Sequence, residues 1–340
     1  MTPINTQIFT KKNVSGNFGK APSERTVEEL LKSSIINLDK PSGPTSHQVA
    51  DYVQKILKKD KSGHSGTLDP NVTGVQPVAI GSATRITQFL LTAPKEYVGI
   101  MHIHKPIDQE KFNQVLSTFI GKIRQTPPLK SAVKRVERTR EIYEFEILEQ
   151  KDQDILFRIK CQAGTYIRKI CDDFGKALGT GAHMAQLRRT QAGPFEEKDS
   201  LVTLNDLQDA YHYYTQENNP KYLNYCLQPI ENAVKHLPKC WILDTTLTSV
   251  SHGRDIAIPG IAKLENFRKG ELIAVLTLKG ELVCIGESLM SAVEINTKEK
   301  GLAIKVNKVF IEDIILNQAV NQTINQLPEN ASESKAQSLL

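Results

Sequence analysis

The sequence predicts an α+β fold followed by a small β-barrel-like module, on three observations. Helical and strand-like periods mix between residues 26 and 235, with strand-like runs often adjacent, unlike a regular βαβ repeat. After about Lys239 the texture changes to short strand-like runs broken by Gly, Pro and a Lys-Gly turn. A chain of 340 residues is long enough for each part to bury its own core.

Residues 1–25 are rich in Thr, Asn, Lys and Ser and read as a flexible arm. Thr45 or Ser46 caps a first helix, with Val49, Val53, Ile56 and Leu57 on one face. A second carries Phe112, Val115, Leu116, Phe119 and Ile120 and is closed by Gly121. A third carries Ile167, Ile170, Cys171, Phe174 and Leu178 and is closed by Gly179. Strands are predicted in the runs that begin at Tyr97, Ile142 and Ile155. The boundary between the two parts falls near Asn232–Pro238, where a helix-like stretch ends in proline. The second part, at residues 236–314, contains WILDTTLTSVSHGRDIAIPGI and ELIAVLTLKGELVCIGESL, both read as short strands. The polar stretch 315–340 reads as a disordered tail.

Composition excludes several classes. No apolar run approaches the roughly 20 residues of a membrane span, and the polar N-terminus lacks the apolar core of a signal peptide, so a cytoplasmic protein is expected. Cys161, Cys171, Cys226, Cys240 and Cys284 are odd in number, scattered and without a C-x-x-C pair. They are expected as buried apolar thiols rather than as disulfides or zinc ligands, and neither metal nor cofactor is called for. The net charge of +5 is modest, but its distribution is uneven. Lys122, Arg124, Lys130, Lys134, Arg135, Arg138 and Arg140 face the single acid Glu137 between residues 121 and 140. Such a run suits a phosphate backbone, whose counterions it would release; a solvated charged loop is the alternative.

Asp69 lies in GHSGTLDPNVTGVQPVAIG, where glycines allow close backbone approach to a ligand and Pro70 stiffens the chain just beyond the carboxylate. By spacing alone, an Asp before Pro is more often an ordinary turn residue. The segment, however, resembles the signature of the TruB/dyskerin family of RNA pseudouridine synthases at nearly every position. Other segments come in the family's order: LDKPSGPTSHQV, KEYVG, PPLKSAVKR, GTYIRKICDDFG and GAHMAQLRRTQAGPF. The resemblance covers about residues 30–310, and SHGRDIAIPGIAKL resembles the most recognisable stretch of a PUA domain, a small RNA-binding barrel.

The resemblance implies a mixed-sheet catalytic domain with a C-terminal PUA β-barrel, converting uridine to pseudouridine without a cofactor. Asp69 would be the essential carboxylate, either attacking ribose C1′ or helping to form a glycal. Arg168, about 100° off the apolar stripe of its helix, would pair with it. Tyr97 would stack on the extruded uracil and assist a proton transfer at the sugar. Leu187 would pack against the target nucleotide, or simply within the core. Lys40 and His64 would support the loop or touch RNA, Lys134 and Arg135 would bind RNA, and Gly253, Arg254, Pro259, Gly260 and Lys263 are the candidate PUA contacts.

The family has two branches: bacterial enzymes that act alone on the tRNA T-loop, and dyskerin-type subunits of H/ACA ribonucleoproteins, in which a guide RNA pairs with the target. Only short links come after the strand at Tyr97 and the basic run, leaving little room for inserted T-loop grips. With a well-developed PUA-like module the dyskerin type is therefore expected, and without a long Lys-rich tail its shorter archaeal form, with rRNA or tRNA as substrate and guide RNA, small Nop and Gar proteins and a kink-turn-binding protein as partners. Such a subunit could also act on tRNA uridine-55 without a guide; a stand-alone tRNA T-loop enzyme and a catalytically silent RNA-binding scaffold are the alternatives, and the intact Asp69, Tyr97 and Arg168 set argues against the scaffold.

Overall fold

A computed structural model describes residues 7–126 and 136–311, which divide into two units: 26–233, and 234 onward together with the first 25 residues. The N-terminal strand β1 (Ile8–Thr10) belongs to the second unit. The first unit is built on one mixed sheet. Its strands are β2 (Ser33–Lys40), β3 (Ser62–His64), β4 (Thr73–Gly81), β5 (Lys95–Ile103), β6 (Gly121–Gln125), β7 (Arg138–Lys151), β8 (Asp154–Cys161), β9 (Ala182–Ala192), β10 (Phe195–Glu196) and β11 (Gln228–Pro229). The order runs β11-β2-β4-β9-β5-β8-β7-β6, with β3 added to β4 and β10 to β9. Every pairing is antiparallel except β4 with β9, which meet over Thr73–Gly74 and Arg188–Arg189.

Helices cover this sheet, and the local sequence explains their ends. After α1 (Val27–Leu30), α2 (Ser46–Ile56) starts at Thr45, whose hydroxyl accepts from the Gln48 amide while Gln48 reaches back. Its Val49, Ala50 and Val53 pack with Ile36, Leu38, Val78 and Ile80 of the sheet and with Leu207 and Ala210. The short α3 (Thr87–Leu91) precedes β5. Asp108 caps α4 (Gln109–Thr118), which stops two residues sooner than its apolar spacing predicts; Ile120 is exposed, and Gly121, at φ +91°, opens β6 instead of closing the helix. In α5 (Ile167–Leu178) the predicted face is buried, and Gly179 ends the helix in the left-handed conformation. Phe174 of α5 meets Phe112 edge-on at 5.2 Å, within a core shared with β5, β7 and β8. Helices α6 (Leu204–Glu217) and α7 (Lys221–Cys226) complete the unit. The basic run is not one loop: its ends form the hairpin strands β6 and β7, while Lys130, Lys134 and Arg135 lie outside the described residues.

The second unit holds α8 (Asp244–Ser251), α9 (Ala292–Thr297) and strands β12 (Lys239–Ile242), β13 (Ile256–Ala257), β14 (Ile261–Glu265), β15 (Leu272–Leu276), β16 (Leu282–Ser288) and β17 (Leu302–Val309). The sheet order is β1-β14-β12-β15-β16-β17-β13, with register shifts in four of its pairings, around a core of Ile, Leu, Val and Cys side chains.

Two expectations need correction. The stretch DTTLTSVS is a helix, not a strand: Leu247 and Val250 fall three apart and both are buried, and this spacing outweighs the β preference of its threonines. The first 25 residues are not a free arm where they are described. Strand β1 pairs antiparallel with β14, the Lys11 ammonium donates to the carbonyls of Ile295, Asn296 and Lys298, and Phe18 is buried in the core of the unit. Hydrogen bonding at a sheet edge holds this segment, a signal that polar composition hides. The predicted tail lies outside the described residues. All five cysteines are free and buried, and burial pushes the Cys161 thiol up to about 12. Among the described residues no helix is long and apolar enough to cross a membrane.

Candidate active site

Asp69 sits at the tip of the segment joining β3 to β4, with its side chain half exposed. The loop beneath it is held rather than slack. Leu68 and Val72 on either side are buried. The Val72 amide donates to the Asp69 carbonyl, the Gly43 amide to the Pro70 carbonyl, and the Leu68 amide to the hydroxyl of buried Ser46 at the start of α2. Lys40, at the end of β2, is fully buried, and its ammonium donates to the carbonyls of Pro41, Pro70 and Val72, each at 2.9 Å. Of the two roles expected of Lys40, this geometry favours support of the loop, because all three donors are used inside the protein. Burial holds its pKa below the usual lysine range, as does the nearby Arg189, while Asp69 acts in the opposite sense.

Arg168, in the first turn of α5, donates from Nη2 to Asp69 Oδ2 at 2.7 Å. A cation in the first turn opposes the helix dipole, so the carboxylate partner explains its tolerance there. The sheet order brings Tyr97, near the start of β5, toward the same loop. Burial pushes its phenol pKa up, Arg189 pulls it down, and the Asp69 charge raises it. Asp69 and Arg168 thus meet from one loop and one helix, and Tyr97 on β5 and Gly74 at the start of β4, five residues after Asp69, are both paired with Arg189 of β9.

Leu187 is half-buried on β9, opposite Gly99 of β5. A Cβ at Gly99 would stand 2.8 Å from Leu187 Cδ1 and from Phe157 Cζ, so glycine is what allows Leu187 to pack there. His64 is partly buried, edge-on to His47 at 6.3 Å, and burial, His47 and Arg189 lower its pKa. In the second unit Gly253, Arg254 and Pro259 are exposed, Gly253 at φ +80°. Lys263 lies over the ring of Trp241 at 4.4 Å. Gly260 has a packing reason of its own: a Cβ there would stand 2.5 Å from Thr246 Oγ1. Lys134 and Arg135 lie outside the described residues. Among the described residues no group of His, Cys, Asp or Glu side chains is arranged to hold a metal ion.

Sequence reasoning passed over the two arginines after Leu187. Strand alternation sends them to opposite faces of β9. Arg188 makes a bidentate pair with Asp39 at 2.9 and 3.0 Å and also binds Glu197. Arg189 points inward and is 1% exposed. Two consecutive arginines on a strand whose alternation buries one of them were the available signal.

Four family patterns match the chain. The N-terminal domain of TruB family pseudouridylate synthases matches residues 54–108 and 102–167, and the C-terminal domain of tRNA pseudouridylate synthase B matches 168–235. A PUA domain matches 238–310 and a DKCLD domain 4–50. The chain is 53% identical to a probable tRNA pseudouridine synthase B of Methanothermobacter thermautotrophicus over 87% of its length and 91% of that relative's. To one from Pyrococcus furiosus it is 49% identical, over 87% of each. Among solved structures it resembles a chain of a Cbf5-Nop10-Gar1 complex (TM-score 0.86, 47% identity, covering 91% of this chain and 95% of that one). It also resembles a chain of an H/ACA RNP bound to a substrate RNA containing 2′-deoxyuridine (TM-score 0.86, 44% identity, 92% and 97%). These likenesses span both units, and the chain belongs to the TruB family of RNA pseudouridine synthases, in its dyskerin-type form with a PUA domain.

Proposed function

We propose that the chain is the catalytic subunit of an H/ACA guide RNA particle, isomerising uridine to pseudouridine with Asp69 as the group that acts at ribose C1′. The observation that carries this reading is the Asp69–Arg168 ion pair at 2.7 Å on a braced, exposed loop. In the reaction the N1–C1′ bond breaks, the uracil turns, a C5–C1′ bond forms, C5 loses its proton and N1 gains one. Atoms and electrons balance within the nucleotide, so no redox partner is needed. Breaking the first bond builds positive charge at C1′, which a fixed carboxylate stabilises. Arg168 orients that carboxylate, Tyr97 contacts the extruded uracil and moves a proton at the sugar, and Leu187 lines the nucleotide's other side. The solved relatives hold Nop10 and Gar1, or a substrate RNA, which supports small proteins of these kinds and RNA as partners. Five buried, unpaired thiols support a reducing, cytoplasmic setting.

A second reading, action on tRNA without a guide, is favoured by the names of the curated relatives. One experiment separates the readings. Purified protein is incubated with unmodified tRNA, and separately with guide RNA, target and the small partner proteins, and pseudouridine is mapped. Product only in the second mixture supports the guided enzyme, and product with tRNA alone supports the second reading. Product in neither, while RNA binds, leaves an RNA-binding scaffold. Asp69→Asn should abolish turnover while RNA binding persists; retained turnover refutes the assignment of Asp69.

A further inference from the structure

We infer that Gln125 is a positioning residue for Arg168: its side-chain amide clamps the backbone of Tyr166 and so fixes the first turn of the helix from which Arg168 reaches Asp69. The inference rests on the reading in which Arg168 orients Asp69.

Gln125 is the last residue of β6 and is 3% exposed. Its Nε2 donates to the Tyr166 carbonyl at 3.2 Å, and its Oε1 accepts from the Tyr166 amide at 3.1 Å. These are the two bonds that a neighbouring strand makes to one residue, supplied here by a single side chain. The pairing also fixes the orientation of the amide, because a flipped one would set donor against donor and acceptor against acceptor.

The start of α5 needs a hold from outside its own sequence. The residue before a helix is usually Ser, Thr, Asp or Asn, whose side chain accepts from the first free amides. Tyr166 stands in that place, and its side chain makes no such bond. The loop leading to it turns through Gly164 at φ +78°. Arg168 brings a cation into the first turn, against the helix dipole. Its side chain is half exposed, so the aim of its guanidinium at Asp69 depends on where the backbone of that turn sits. Gln125 grips that backbone two residues before Arg168. The Gln162 amide donates to the Glu141 carbonyl of β7 at 2.8 Å, which ties the preceding loop to the same hairpin. The helix that carries Arg168 is thereby registered against β6 and β7.

The test compares single-turnover rates and RNA affinity in the full chain, well below the melting temperature of each variant so that a general loss of stability does not contribute. Gln125→Met should slow the chemical step by on the order of 100-fold, as expected for a misplaced reacting group, while the Kd for RNA stays within about twofold. Gln125→Glu gives a readout that a space-filling residue would not. Ionised, it offers acceptors only and sets an oxygen against the Tyr166 carbonyl; protonated, it regains a donor. Its rate relative to wild type at the same pH should therefore recover as pH is lowered, whereas the deficit of Gln125→Met should stay constant. If Gln125→Met does not fold, Gln125→Glu carries the test alone. A Gln125→Met rate equal to wild type, an RNA affinity that falls in step with the rate, or a Gln125→Glu variant that follows wild type at every pH or is not relieved by acid overturns the inference. Arg168→Met is the control. A slow Arg168→Met beside a wild-type Gln125→Met refutes the inference alone, and a wild-type rate in Arg168→Met refutes the role of Arg168 and the inference with it.

Discussion

Replacing Lys40 with methionine tests whether this lysine is a brace or an RNA contact. The substitution keeps the unbranched aliphatic stem and removes an ammonium that donates to three carbonyls at 2.9 Å. Two of these bonds are part-buried, so water can replace the ammonium at Pro41 and Pro70 at small cost; the bond to Val72 is buried. Stranding a buried carbonyl costs about 1–3 kcal/mol, and each weakened part-buried bond to a charged donor adds up to about 1 kcal/mol. Removing the ammonium also relieves its own burial cost, so we expect a net loss of about 2–4 kcal/mol. For a unit of about 200 residues this corresponds to a fall in Tm of roughly 4–16 °C. Thermal and denaturant unfolding should be measured with single-turnover rate and RNA affinity. Turnover should fall, because the loop under Asp69 loosens, and RNA affinity should change little. A variant as stable as wild type but weak in RNA binding would refute the reasoning.

Gly74 sits at φ +103°, and a Cβ there would stand 2.2 Å from the Arg189 carbonyl, so Gly74→Ala should destabilise the fold by about 3 kcal/mol or more, measured by denaturant unfolding. His64 has a folded pKa below its unfolded value of about 6.5, so the unfolded chain takes up the proton first and stability falls as pH drops from about 6.5 through the lower folded value. His64→Gln should flatten that part of the stability–pH curve; an unchanged slope would exclude this histidine as its source. If Lys134 and Arg135 each neutralise one phosphate, replacing both with alanine should make the salt dependence of RNA binding shallower by about 1.4–1.8 in log–log slope. An unaltered slope would mark the basic run as merely solvated.

The elements easiest to read were those whose signals are local. The apolar stripe of α5 and the cap at Thr45 both repeat within a turn or two of helix, and both are present as expected. The segment DTTLTSVS misled because β-branched side chains suit either structure, and only burial of Leu247 and Val250 in the second unit decides for helix. The described part of the first 25 residues misled for a related reason: its partners, among them β14, the end of α9 and Asp244, lie more than 220 residues away.

At the site, the motif order marked Asp69, Tyr97 and Arg168, and the resemblance supplied their roles. What no window of sequence contains is their meeting. Asp69 and Arg168 are 99 residues apart in the chain, and their contact depends on a sheet in which β9 lies between β4 and β5. The same geometry buries Lys40 and Arg189, whose charges sequence alone would have left in solvent. Sequence by itself determined the family, the periodic elements and the exposed carboxylate loop, because period and turn chemistry are properties of neighbouring residues. Tertiary structure decided which cations are buried and what they hold, because burial and hydrogen-bond satisfaction are set by strands that meet only in the folded sheet.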